Sequence, residues 1–216
     1  MVPHIEGKFV ATGKHLEKET YEIYSKIFAT IDPGFYLVKC HNFIPYILED
    51  DHYYKFNAGR NRAFQEAGYK HKPAACGLGS PSKMLEISYI AGVNQPEELE
   101  NPRQISSFNY PMDKPKPLFS RAVRYNGMLY ISGTASIVGS ETHHKNDLIG
   151  QYSETIENLE TLTGGISWQR FKFVIYLKNA EDEDRIRHRF PYDAEYVITD
   201  ICYDDLLIEI EADQVS

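Results

Sequence analysis

Apolar and polar positions alternate along this chain with two different periods, and their succession predicts a mixed α/β order. Over residues 17–31 the positions Tyr21, Tyr24, Ile27 or Phe28, and Ile31 recur at helical spacing, and Asp32-Pro33-Gly34 stops the run. Residues 35–40 then read as a strand. A second helix starts at Asp50 or Asp51 and reaches about Ala67, with Gly68 as its cap; 75–79 and 84–91 read as strands and 95–101 as a loop. Further on, Leu129 and Ile131 alternate as in a half-buried strand, and Asn126-Gly127 is a strong two-residue hairpin signal. Asn146 or Asp147 can cap a helix whose stripe is Leu148, Tyr152, Ile156 and Leu159, running through Thr163 to the Gly164-Gly165 stop. A strand over 171–177, a helix over 181–189 and strands over 195–201 and 206–211 complete the pattern.

Both halves thus read helix, strand, helix, strand, strand. The fold class expected is α/β (α+β), a sheet packed by helices built twice, with one unit over 1–100 and a second over 101–216. The second unit has a leading hairpin over 118–133. In its place the first has only residues 1–13, too short for a hairpin, so its sheet is expected to be incomplete. An unpaired edge invites association, and a homo-oligomer follows as an expectation.

Composition narrows the function classes. With 216 residues and 42% hydrophobic content the chain can bury a real core. The formal net charge of −8 opposes general nucleic-acid binding, which needs a cationic surface. No apolar run approaches membrane-spanning length and no secretory leader is read, so the expectation is a cytoplasmic protein without a membrane partner. Cys40, Cys76 and Cys202 are odd in number and lack metal-ligand spacing, as reduced thiols would be. His143-His144 is a poor metal signal, because no carboxylate–histidine spacing backs the pair.

An acidic protein can still take a small anion where arginines converge. Arg60, Arg62, Arg103 and Arg121 sit inside motifs rather than in surface runs. In LLIEIEA, Leu206, Ile208 and Ile210 fall on one side of a strand, and Leu207, Glu209 and Glu211 on the other. Two readings stand: the glutamates line a solvated face, or Glu209 projects from an otherwise apolar strand into a site, with Glu211 at the surface or one layer out.

The segment over 118–160, with SRA, YISGTASIVGSET and DLIGQYSETIENL, resembles the chorismatase family within the RidA/YjgF-like superfamily. The likeness extends to YYKFNAGRNRAF, ENPRQISSFNYP and ICYDDLLIEIEA. Family chains are longer at the amino end. The resemblance implies a cofactor-free enzyme that takes chorismate to pyruvate plus a 3- or 4-hydroxybenzoate or a dihydroxycyclohexadiene carboxylate. Releasing pyruvate from an enol ether requires a proton on the terminal methylene carbon, hence a carboxylic acid kept protonated near neutral pH. The resemblance assigns that acid to Glu209, places Cys202 near it, and gives Arg60 and Arg121, with the small-residue crossover of Gly133, Thr134 and Ser136, to substrate binding. Arg103 is a third candidate for a carboxylate and the Tyr110 hydroxyl a candidate donor, the alternatives being a structural salt bridge for each arginine and packing at a loop mouth for the tyrosine. Alternatives are a RidA-type imine or enamine deaminase and a non-catalytic RidA-like subunit that binds a small acid. Against the deaminase, the arginine those enzymes carry ahead of the strand glutamate falls here on Ala194-Glu195.

Overall fold

The computed structural model describes residues 4–31 and 34–215. The expected stop at Asp32-Pro33 lies outside them. The first sheet contains β1 (His4–Ala11), β2 (Tyr36–Ile44), β3 (Ala74–Gly79) and β4 (Leu85–Gly92), in the order β1-β4-β2-β3. Helices α1 (Leu16–Thr30) and α2 (His52–Glu66) cover one of its faces. The second sheet is ordered β11-β10-β12-β7-β6-β5, from β5 (Glu97–Leu99), β6 (Ala122–Tyr125), β7 (Met128–Ala135), β10 (Phe171–Leu177), β11 (Ala194–Ile198) and β12 (Ile208–Gln214). A small ribbon of β8 (Ile137–Val138) and β9 (Glu141–Thr142) leads into α3 (Leu148–Thr163), and α4 (Glu183–Arg187) follows β10.

The two sheets share one topology. In the first, β1 pairs with β4, β4 with β2, and β2 runs parallel to β3; in the second, β7, β12, β10 and β11 repeat that arrangement. What the second sheet adds is β6 and, beyond it, β5; β6 is joined to β7 through Asn126-Gly127, whose φ values of 49° and 79° are those of a type I′ turn. Residues 4–11 supply a single strand in the first sheet where the second has a hairpin, and β1 is an outer strand there.

Each sheet buries one face under its own helices and turns the other toward its partner. Ile23, Tyr24 and Ile27 of α1 pack with Leu37 and Cys40 of β2; Leu148 and Leu159 of α3 pack with Ile175, Ile208 and Ile210. Full burial of such side chains stabilises by about 1.5–3 kcal/mol each. Asp147 caps α3 by accepting from the amides of Ile149 and Gly150, and Gly164 closes it with φ 57°. Between the sheets lies a smaller cluster of Cys76, Leu78, Ala135, Tyr176, Ile201 and Leu206.

Four local expectations are corrected. The 95–101 loop contains β5, because Glu97, Glu98 and Leu99 pair with Arg124, Val123 and Ala122. The 181–189 helix shortens to a 3-10 turn followed by five residues of α4, since Asp182 accepts bonds from Asn179 and Arg185 at its start. The 195–201 strand ends at Ile198: Thr199 donates its amide to Leu177 O and its hydroxyl to Gly79 O, and Ile201 bridges Leu78, so the chain crosses to the first sheet. The last strand therefore starts at Ile208, and Leu206 lies between the sheets rather than beside Ile208 and Ile210.

Candidate active site

β3 is the edge strand of the first sheet opposite β1, and α2 presents side chains past it toward the second sheet. The result is a cavity between the two sheets. Tyr53, Phe56 and Arg60 enter from α2, spaced three and four residues apart on one helix face. Cys76 comes from β3, Gly133 from β7 and Glu209 from β12, while Cys202 and Tyr203 arrive on the crossing segment after Ile198. Tyr110, Phe119 and Arg121 close the remaining side. Ser107 fixes that approach by donating its hydroxyl to Phe119 O at 2.8 Å.

The two arginines define the cavity's electrostatics. Each is only 4% exposed, and among the described residues neither forms an ion pair. Arg60 donates from Nη2 to Asn57 Oδ1 at 2.8 Å, and its Nε has no acceptor. Arg121 donates from Nη2 to Ile105 O at 2.8 Å and to the Tyr110 hydroxyl at 2.7 Å, and its Nε is likewise free. A guanidinium stays charged, and burying it without a counter-charge costs several kcal/mol. Two such groups in one cavity fit an anionic ligand with more than one acidic group.

Among the described residues the one carboxylate lining this cavity is Glu209, itself 4% exposed. Burial, then the charge of Glu211, pushes its pKa up to about 8, and Arg121 opposes them. Glu209 is therefore largely protonated at neutral pH and can donate to an anion that a carboxylate would repel. Gly133 makes room for it: a Cβ there would collide with Glu209 Oε1. The pairing of β7 with β12 shifts register by one residue between Ile210 and Ala212, a bulge that falls beside this glycine.

Glu211 is not at the surface. It is buried between the sheets, with Lys39 Nζ and His41 Nε2 each 2.5 Å from Oε1 and the Tyr176 hydroxyl donating to Oε2 at 3.2 Å. Burial disfavours its charge, but Lys39 and then His41 hold the carboxyl well below the usual range. The solvated-face reading of the strand is thus corrected for both glutamates: the first sheet covers them.

Of the residues singled out in the sequence, Glu209, Cys202, Arg60, Tyr110, Arg121 and Gly133 converge on the cavity. Burial, and next Glu209, push the Cys202 thiol up, so it lines the site as a neutral thiol rather than a thiolate. Arg103, Thr134 and Ser136 do not line it. Arg103 ties its loop to α3, donating to Asn158 Oδ1 at 2.9 Å, to Glu157 at 2.6 Å and to Glu154. Thr134 bonds Ser132 O and Ser136 bonds His143 O, both within the crossover. Tyr53, Phe56, Cys76, Phe119 and Tyr203 were missed; the α2 pair had a visible signal in its spacing from Arg60, whereas Tyr203 enters only because the chain crosses between sheets. The folding of α3 also brings Glu154 to His143 and His144, at 3.9 and 3.4 Å, so a carboxylate does accompany the histidine pair, although Arg103 already engages it.

Two uncompensated guanidiniums and one neutral carboxylic acid in one cavity are chemically suited to holding a small polyacid and protonating it. Comparison with known proteins narrows this further. Residues 5–91 match the family described as chorismatase FkbO/Hyg5-like, N-terminal. The chain is 29% identical to a 3-hydroxybenzoate synthase of Streptomyces hygroscopicus, over 95% of this chain and 71% of that protein. It is 30% identical to a chorismatase of the same organism, over 74% of this chain and 54% of that one, so it spans just over half of that relative's length. A chorismatase crystal structure superposes with a TM-score of 0.89 at 25% identity, covering all of this chain and 76% of its own. The chain is chorismatase-like in sequence and in fold, which bears out the resemblance read from its motifs.

Proposed function

We propose that this chain is an enzyme that converts chorismate to pyruvate and a hydroxybenzoate or a dihydroxycyclohexadiene carboxylate. The observation that carries the reading is the pairing of two buried, unpaired guanidiniums with one neutral acid in a single cavity, which suits a dicarboxylate bearing an acid-labile enol ether. Arg60 and Arg121 clamp the two carboxylates, with the Tyr110 hydroxyl beside Arg121 as a further partner. Glu209 donates its proton to the terminal methylene carbon. The double-bond electrons form the new C–H bond, leaving an oxocarbenium that an oxygen nucleophile attacks, after which the carbon–oxygen bond breaks and pyruvate departs. Holding the acid neutral before substrate arrives avoids placing a carboxylate against two others. The names borne by the curated relatives favour the same substrate.

The test is pyruvate release from chorismate, coupled to lactate dehydrogenase. Acceleration well above the spontaneous background is expected; no acceleration at high protein concentration overturns the reading, and turnover of an iminopyruvate instead would establish the deaminase. We further place the protein in the cytoplasm, in keeping with its three free cysteines, and as a homo-oligomer associating through the edge strand β1. Size-exclusion chromatography with light scattering is expected to give a dimer or trimer, and a monomer of 24.9 kDa overturns that part.

A further inference from the structure

Behind Glu209, outside the cavity lining, lies a second buried group of charges that the proposed chemistry does not use. Lys39 and His41 project from β2 and Glu211 and Asp213 from β12; the Lys39 side chain is wholly buried, and its Nζ also contacts Asp213. Both oxygens of Glu211 accept bonds, Oε1 from Lys39 and His41 and Oε2 from Tyr176. With every acceptor committed to a donor, this carboxyl has no role as an acid. His41, Glu211 and Asp213 face an open groove on the far side from the cavity. The strand's two-residue repeat leaves Glu211 on the same face as Glu209, roughly 7 Å along β12.

The charged and titratable groups around Glu209 are few. Arg121 faces it across the cavity, Cys76 from β3, Tyr176 from β10, Cys202 from the crossing segment and Glu211 from its own strand. Burial pushes the Cys76, Cys202 and Tyr176 hydrogens toward staying on, so those three contribute no charge near neutrality. The fixed charges that remain are Arg121 and Arg60 on the cavity side, which attract a carboxylate, and Glu211 on the other side, which repels one and has Lys39 beyond it. Arg121 alone would favour ionised Glu209. A fixed anion on the other side offsets it.

We propose that Glu211 is a positioning residue: held ionised by Lys39 and His41, it keeps a permanent negative charge behind Glu209 and so retains the proton that Glu209 delivers. The inference deepens the proposed function and rests on its assignment of Glu209 as the donor. It also explains why a lysine is buried between the sheets: the cation secures an anion that the neighbouring acid senses.

Infrared titration of the ligand-free protein tests this without turnover, because a protonated carboxyl absorbs apart from a carboxylate. A band that Glu209→Gln removes is expected to persist at neutral pH in the wild type and to fade near pH 8. In Glu211→Gln its midpoint should fall by about one pH unit or more, as loss of a like charge dictates. In Asp213→Asn, one step further along the strand, it should move little. Should Glu211→Gln fail to fold, Lys39→Met/Glu211→Met removes the buried pair together, a replacement that folds tolerate better, and a smaller fall in the same direction is expected, because a more distant cation leaves with the anion. An unchanged midpoint in the folding variant, or no wild-type band at neutral pH, overturns the inference. A wild type that releases no pyruvate sinks the proposed function whatever the midpoint does, whereas an active wild type with an unmoved midpoint sinks this inference alone.

Discussion

Glu209 and Glu211 stand two residues apart on one face of β12, both buried, yet their protonation states are opposite. Glu209 meets a cavity whose charged groups stand off from it and has its proton held up to about pH 8, chiefly by burial; Glu211 meets Lys39 and His41, which overcome burial and keep it ionised. What differs is the opposing sheet. Above Glu209 lie β3 and α2 with thiol and aromatic side chains; above Glu211 lies β2 with two nitrogen donors. Identity, strand and face being equal, the role of a carboxylate here is decided by what the other half of the chain sets against it.

The sharpest way to break this comparison is Glu209→Gln, which keeps the shape and removes the transferable proton. It is expected to lower kcat by roughly 10²–10⁴ while substrate affinity holds or improves. A small effect would mean that the proton comes from elsewhere. The arginines sharpen the contrast from the cavity side: Arg121→Ala and Arg60→Ala should mainly raise KM, by roughly 1.5–3 kcal/mol for each lost charge-assisted pair. Steady-state kinetics in which kcat fell and KM stayed would place them instead with the chemical step.

A pH series tests the two states together. Because the folded-state pKa of Glu209 is raised, its protonated form, and with it kcat/KM, should decline as the pH rises through about 8. Stability follows the same sign. The contribution of the neutral acid is fully present below the ordinary carboxylate range and is lost as the pH climbs through about 8. Thermal melts should therefore show the wild type losing more stability than Glu209→Gln between about pH 4 and about pH 9, a range that straddles the loss between the ordinary value of 4.5 and about 8. Equal losses would show that Glu209 does not ionise there. The smallest effect belongs to Arg103→Ala, which cuts a partly exposed network on α3 and should cost about 1 kcal/mol of stability with KM nearly unchanged; a large KM effect would return Arg103 to the site.

Much of this was legible in the sequence where a local rule governs. The Asn126-Gly127 turn, the Asp147 cap, the Gly164 stop and the 171–177 strand are set by neighbours a few residues apart, and the structure has them as expected. Arg60, Arg121, Tyr110 and Glu209 were legible through motifs. Arg103, Thr134 and Ser136 were not separable from them, because whether a polar side chain faces a ligand or its own backbone depends on partners such as Glu154 and His143 that folding supplies. The crossing at Thr199 was equally hidden: its anchors are Leu177 and Gly79, far away in the chain. The same holds for Glu211, whose partners arrive from β2.

The seam between the two sheets has a consequence for how the cavity depends on concentration. α2 and β3 supply one wall, β7 and β12 the other, and both walls belong to one covalent chain joined through residues 93–121. A site built between separate subunits empties on dilution, as its halves part. Here the halves are each other's permanent neighbours at an effective concentration set by the tether, so the cavity within one chain persists however scarce the protein becomes, and association through β1, where it occurs, adds to a site that is already assembled.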